Sequence, residues 1–242
     1  MKTTALITGA SRGIGKAIAL KLANHFDHIV INSYHNRQDL LNVKSEIENL
    51  GAEGVAYTGD IKDHDFVKSM ITDIIDRYKR IDLIVNNAGI SYVGLLTDMS
   101  IEDWNNVINT NLTSVFNCCN LAVPYMVKEK SGHIINISSM WGLSGASCEV
   151  AYSASKGGIN SFTQALAKEL APSNISVNAI ACGTVNTQMN ACFSNDEIEN
   201  ICNDIPIGRM ASPEEIADLV YLLYKSPAYL TGEIIKIDGG YL

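Results

Sequence analysis

Ser139, Tyr152 and Lys156 are residues whose types and spacing can do chemistry. Tyr152 lies thirteen positions after Ser139, and Lys156 four after Tyr152. On a helix, positions i and i+4 share a face, so the phenol and the ammonium point the same way. A free phenol has a pKa of about 10. A nearby ammonium favours the phenolate and lowers that value, which makes the phenol a better general acid near neutral pH. Ser139 follows the apolar run Ile134-Ile135-Asn136-Ile137, which reads as a buried strand. Its hydroxyl would stand at a strand end, where it could hold the oxygen that receives the proton. A tyrosine and a lysine at this spacing also occur by chance on solvated helices. The serine at this offset, and a glycine turn near the N-terminus, set this pair apart.

The elements that must position these groups follow in order. Thr4 to Thr8 reads as a short buried strand, and Gly9-Ala10-Ser11-Arg12-Gly13-Ile14-Gly15 opens an amphipathic helix to about Asn24. Glycines let the backbone turn tightly and approach a pyrophosphate, and the helix N-terminus supplies amide donors. The next strand, His28 to Asn32, ends without an Asp or Glu to grip ribose hydroxyls. Arg12 and Arg37 could instead meet a 2'-phosphate, which favours NADP(H) over NAD(H). Arg37 also starts a solvated helix to Leu50. A third strand, Gly54 to Thr58, precedes Asp60, which either caps the following helix (Asp63 to Tyr78) or faces an adenine. Asp82 to Val85 is a fourth strand, ending in Asn86-Asn87-Ala88-Gly89, small polar groups that suit a ligand crevice.

Ile101 to Met126 reads as two helices or one bent one, with Asn111 inside. Asparagine is locally unfavourable there, so it either bulges the helix and holds a water or is a satisfied polar group. A long helix runs from about Tyr152 to Ala171, between a fifth strand at Ile134–Ile137 and a sixth at Ser176–Ile180. Residues 184–204 read as a long polar loop, and loops of that length are often substrate lids. Pro213 starts another helix, and Glu233 to Ile237 is the last strand. Strand and helix alternate throughout. The expectation is one α/β domain over residues 1–242, a Rossmann-type, doubly wound parallel sheet of about seven strands flanked by helices.

Several motifs together resemble the short-chain dehydrogenase/reductase family over nearly the whole chain. Thr8-Gly9 to Gly15 is similar to its cofactor loop, with Ser11, Arg12, Gly13 and Ile14 inside it, and Asn86-Asn87-Ala88-Gly89 to its NNAG element. Asn111, Ser139, Tyr152 and Lys156 fall where its catalytic tetrad is expected. Asp60 and Ile61 match its adenine-contacting pair, and Val185 and Thr187 the segment that holds the nicotinamide carboxamide. The resemblance implies that Ser139 holds a substrate carbonyl and Tyr152 protonates it. It implies that Lys156 lowers the Tyr152 pKa and binds the ribose, that Asn111 keeps a water in the proton relay, and that the nicotinamide gives a hydride. Where the family has Pro-Gly after the sixth strand, this chain has Cys182-Gly183, which brings a thiol toward the cofactor.

Composition narrows the partners. The net charge of -8 over 242 residues, without a basic stripe, argues against nucleic acid. No apolar run approaches the ~18–20 residues that span a bilayer, and Lys2-Thr3-Thr4 leads into a strand pattern rather than a secretory signal. Six cysteines without a CxxC pair read as reduced thiols of a cytoplasmic protein. The five histidines lack ligand spacing, so no metal is expected. By family analogy the chain is expected to be a homotetramer.

Two narrower likenesses compete for the substrate. Length, the run Asn111 to Phe116 and the tail from Ile205 to Gly240 resemble bacterial 3-oxoacyl-(acyl-carrier-protein) reductases of fatty acid synthesis. Of the two basic positions that dock the acidic carrier, this chain keeps Lys130 but has Ser173 at the other. The segment from Trp141 to Ser153 instead resembles reductases of a 5-aminopentanone group on translation elongation factor P. Glu149, three residues before Tyr152, would suit a cationic amine there, or is a solvated or capping residue. A small ketone or sugar is a weaker third substrate. A non-catalytic NADP(H) sensor would be expected to have lost part of the tetrad, and this chain retains all of it.

Overall fold

The computed structural model describes residues 2–190 and 193–242. Seven strands, all parallel, form one sheet among the described residues: β1 (Thr4–Ile7), β2 (His28–Ser33), β3 (Glu53–Thr58), β4 (Leu83–Asn86), β5 (Gly132–Ser139), β6 (Ile175–Cys182) and β7 (Ile234–Ile237). Their order across the sheet is β3-β2-β1-β4-β5-β6-β7. The order reverses between β1 and β4, which opens a crevice beyond their C-terminal ends.

Side chains on a strand alternate between faces, and each face here has its own core. Ala5 and Ile7 join Ile18 and Leu22 of α1 (Gly13–Ala23), Leu40 and Ile47 of α2 (Arg37–Asn49), and Ile216 and Val220 of α9 (Pro213–Lys225). Leu6, between them, faces Met70 and Ile74 of α3 (His64–Tyr78), with Val115 and Ala122 of α5 (Ser114–Glu129) and Ile159 of α7 (Val150–Leu170) on the same side. Burial on both faces explains why the strands read as continuous apolar runs.

Two local features differ from the sequence reading, and a third bears it out. Asp63, not Asp60, caps α3: its Oδ1 accepts the N–H groups of Asp65 at 2.9 Å and Phe66 at 3.3 Å. Asp60 lies one turn too early and instead accepts the Lys62 N–H at 3.1 Å. The long polar segment is not structureless, because it carries a short 3-10 turn at Gln188–Asn190 and α8 (Asn195–Asp204). The Cys192 thiol call lies outside the described residues. The chain from α4 (Ile101–Ile108) to α5 is one rod broken by a π turn at Asn109–Thr113, with Asn111 at its centre, so the bulge is real. A last short helix, α6 (Trp141–Ser144), follows β5. No helix among the described residues is long and apolar enough to cross a membrane.

Candidate active site

The glycine turn is shaped by contacts that leave no room for side chains. Gly9 and Gly13 have φ of +65° and +54°, a region that glycine enters at little cost. A Cβ on Gly9 would stand 2.8 Å from the Cα of Ala88, and one on Gly15 only 2.3 Å from the Gly9 carbonyl. Thr8 and Asn87 lock the turn to the end of β4. Thr8 Oγ1 accepts the N–H groups of Asn87 and Ala88, both at 3.0 Å, and Asn87 Nδ2 donates to the Thr8 carbonyl at 2.9 Å. The N-cap of α1 is Arg12, whose side chain makes no cap, and the first turn holds no acidic residue. The leading amides of α1 are therefore left to an outside acceptor, and this bare, glycine-lined cradle fits a pyrophosphate.

Around that cradle, Ser11 is buried with its Oγ 3.1 Å from Ser33 Oγ, at the end of β2. Arg37 is exposed at the start of α2. Arg12 is also exposed and donates from Nη1 to Gln188 Oε1 at 2.5 Å. Asp60 is partly exposed, whereas the Ile61 side chain lies in the core with Val67 and Met70, and its carbonyl accepts from Asn117 Nδ2 at 3.3 Å. Val185 is buried and bridges to Ala211, and Thr187 Cγ2 would lie 3.3 Å from a Cβ on Gly13. The fold thus brings the residues from Gly9 to Gly15, Asn87 to Gly89 and Thr187 to one crevice.

Ser139 is the last residue of β5, and Cys182, directly opposite it in register, is the last of β6. Ser139 Oγ accepts the Trp141 N–H at 3.2 Å and lies near enough to the phenol of Tyr152, in the first turn of α7, to act on its pKa. Lys156 is 4% exposed, and its Nζ donates to the Ile137 carbonyl at 2.7 Å. Small residues let these elements meet: a Cβ on Gly142 would lie 2.7 Å from the Lys156 backbone. Asn160 fastens α6 to α7 and β5, accepting from Ser138 Oγ at 2.7 Å and donating to the Gly142 carbonyl at 3.0 Å.

The electrostatics correct one expectation. The Tyr152 phenol lies above its ordinary value, because burial outweighs the nearby Ser139 hydroxyl that pulls it down. Lys156 shares a face with Tyr152, as the i,i+4 spacing suggests, but its ammonium is hydrogen-bonded elsewhere. Its Nζ sits 5.6 Å from the centroid of the Tyr152 ring and points at Ile137. Burial also draws Lys156 down to about 8. Cys182 is pushed up to about 12 by burial, so its thiol is a packed apolar group rather than a nucleophile.

Asn111 is fully buried, and its side chain is satisfied as well as bulged. Nδ2 donates to the Ile90 carbonyl at 2.9 Å and to Ser155 Oγ at 3.0 Å, while Oδ1 accepts the Ile90 N–H at 2.8 Å. Glu149 is neither freely solvated nor a side-chain cap. It accepts the Ser91 hydroxyl at 2.9 Å, and burial holds its carboxyl above the usual range. Trp141 packs edge-on against Tyr241, with ring centroids 5.7 Å apart. Beside Thr187 lies a cleft of about 640 Å³, also lined by Asn186, Asn190, Ile198, Arg209 and Met210. The sequence reading missed Ser91, Asn160 and the Ile137 carbonyl. A partner brought from another element leaves no spacing to read.

Comparison with known proteins agrees with this geometry. The family pattern of short chain dehydrogenases matches residues 3–198. The 3-oxoacyl-(acyl-carrier-protein) reductase FabG of Thermotoga maritima is 40% identical over 236 residues, covering 97% of this chain and 96% of the relative. The corresponding reductase of Synechocystis is 42% identical over 238 residues, 98% of this chain and 95% of the relative. That of Staphylococcus aureus is 38% identical over 241 residues, 99% and 98%.

Proposed function

Since the chain belongs to the short-chain dehydrogenase family, we propose that it reduces the ketone of a 3-oxoacyl thioester, carried on acyl carrier protein, to the hydroxyl with NADPH. One observation carries the chemistry: the hydroxyls of Ser139 and Tyr152 meet at a strand end beside a buried Lys156, next to a cradle fit for a dinucleotide. The cradle from Gly9 to Gly15 would hold a nicotinamide dinucleotide, which would supply the hydride for the carbonyl carbon. Ser139 donates a hydrogen bond to the carbonyl oxygen, and Tyr152 Oη gives that oxygen its proton as negative charge develops on it. Lys156 supplies positive charge beside the phenolate that remains. The Asn111 turn keeps a water that returns the proton. The relatives' printed activity supports the substrate class. The exposed guanidinium groups of Arg12 and Arg37, with no carboxylate at the end of β2, support NADPH over NADH. Residues 184–204, whose Ile198 and Cys202 line the cleft, serve as the substrate-side lid.

A second reading rests on Glu149. A partly buried carboxylate close enough to Tyr152 to raise its pKa is a poor neighbour for an acyl chain and a good one for a cationic amine. It favours the aminopentanone group on elongation factor P. The two readings separate in one assay of NADPH oxidation with an acetoacetyl thioester and with an amine-bearing ketone. The first reading predicts turnover of the thioester, changed less than about threefold by Glu149→Ala. The second predicts preference for the amine, lost by tenfold or more in that variant, about 1.4 kcal/mol. Tight NADPH binding with no turnover of either would leave only a sensor.

A further inference from the structure

Beyond the groups that do the chemistry stand the buried Cys182 thiol, the Arg12–Gln188 contact and the hydroxyl of Ser155. Ser155 has the strongest geometry. It is completely buried, immediately before Lys156 and three residues after Tyr152. Its Oγ donates to the Tyr152 carbonyl at 2.7 Å and accepts from Asn111 Nδ2 at 3.0 Å. One hydroxyl therefore joins two catalytic positions on different elements, the π turn and the first turns of α7. Every polar atom of the Asn111 side chain is accounted for by Ile90 and Ser155. A π turn is an irregular insertion that persists only where its surroundings hold it. Ile90 holds Asn111 to the end of the β4 loop, and Ser155 holds it to α7.

We infer that Ser155 is a positioning residue: its hydroxyl clamps the Asn111 π turn to the Tyr152 and Lys156 helix and fixes the separation of the two. The inference rests on the reductase reading for its kinetic consequence and not for its structural one. With alanine at 155, one amide hydrogen of Asn111 is left unpaired in a fully buried site, a loss that proteins resist by moving the group. The turn then shifts or opens while the glycine cradle, built on β1, β4 and α1, stays as it is.

The test compares the wild type with Ser155→Ala and Ser155→Thr, the latter keeping the hydroxyl. Hydrogen–deuterium exchange is read over residues 109–114 and at Ile90, alongside NADPH affinity and steady-state rates. Ser155→Ala is expected to speed exchange at least tenfold in those amides, leave NADPH affinity within about twofold, and lower kcat about tenfold with little change in KM. Ser155→Thr is expected to restore exchange and most of kcat. Unchanged exchange in Ser155→Ala overturns the inference, whatever the rate does. So does a general rise in exchange across the sheet, which marks a merely structural loss. If the wild type turns over no ketone, the reductase reading fails while the exchange data still judge the clamp.

Discussion

Lys156 shows how much a single residue's surroundings decide. Its type and spacing were legible beside Tyr152, but the spacing could not show that both would be buried. Burial acts on the two in opposite senses, raising the phenol and lowering the amine, because it penalises whichever form is charged. The consequence can be measured. Lys156 is cationic below about 8 and loses its charge as pH rises through that value, whereas Tyr152 keeps its proton across the range. The rate of ketone reduction, with cofactor saturating, is expected to be flat below about pH 7 and to fall as pH passes through about 8. A kcat profile still flat at about pH 9.5 would show that the cation is not needed. Ser155 and Ser91 were illegible for a different reason: their partners lie 44 and 58 positions away, on elements whose meeting is decided only by the sheet.

At the scale of elements, apolar strands and capped helices were readable, with ends moved by a residue or two. The segment after Gly183 was not, because α8 has little apolar content to announce it. It did carry a signal in Ser194 and Glu197, which form a complete capping box, with the Ser194 N–H donating to Glu197 Oε2 at 2.7 Å. The glycine turn was legible as a motif, and its geometry now makes two glycines distinguishable. A Cβ at Gly15 meets backbone oxygen at 2.3 Å and cannot be relieved by a side-chain shift, whereas one at Gly157 meets only the Gly142 carbonyl at 3.6 Å. Gly15→Ala should cost about 1–3 kcal/mol of stability by overpacking and weaken cofactor binding at least tenfold. Gly157→Ala, in the middle of α7, should be neutral or stabilise by up to about 1 kcal/mol. Thermal unfolding and a cofactor titration of the two variants check this. Equal effects would remove the distinction.

Across the whole molecule, the parallel sheet with helices on both faces was legible from alternation alone, and the sheet order then sets Ser139 near the glycine turn. The crevice at the β1–β4 reversal receives the cofactor loop, and the ends of β5 and β6 bring Ser139 and Cys182 alongside. A ligand that binds only the folded state stabilises it by mass action, about 2.7 kcal/mol at a concentration 100 times its Kd. NADPH should therefore raise the melting temperature more than NADH at equal concentration. The double variant Arg12→Ala, Arg37→Ala should erase that difference while keeping the NADH effect. An equal rise with both nucleotides in the wild type would contradict the assignment of the two arginines. The central claim, that the Tyr152 hydroxyl is the proton donor, is tested most directly by single-turnover oxidation of bound NADPH by a ketone in Tyr152→Phe. The phenol should be dispensable for binding, with NADPH affinity within about threefold of wild type, and needed for chemistry, with the rate lower by about 10²–10⁴-fold. A variant that binds NADPH normally and still reduces the ketone within tenfold of the wild-type rate would contradict it.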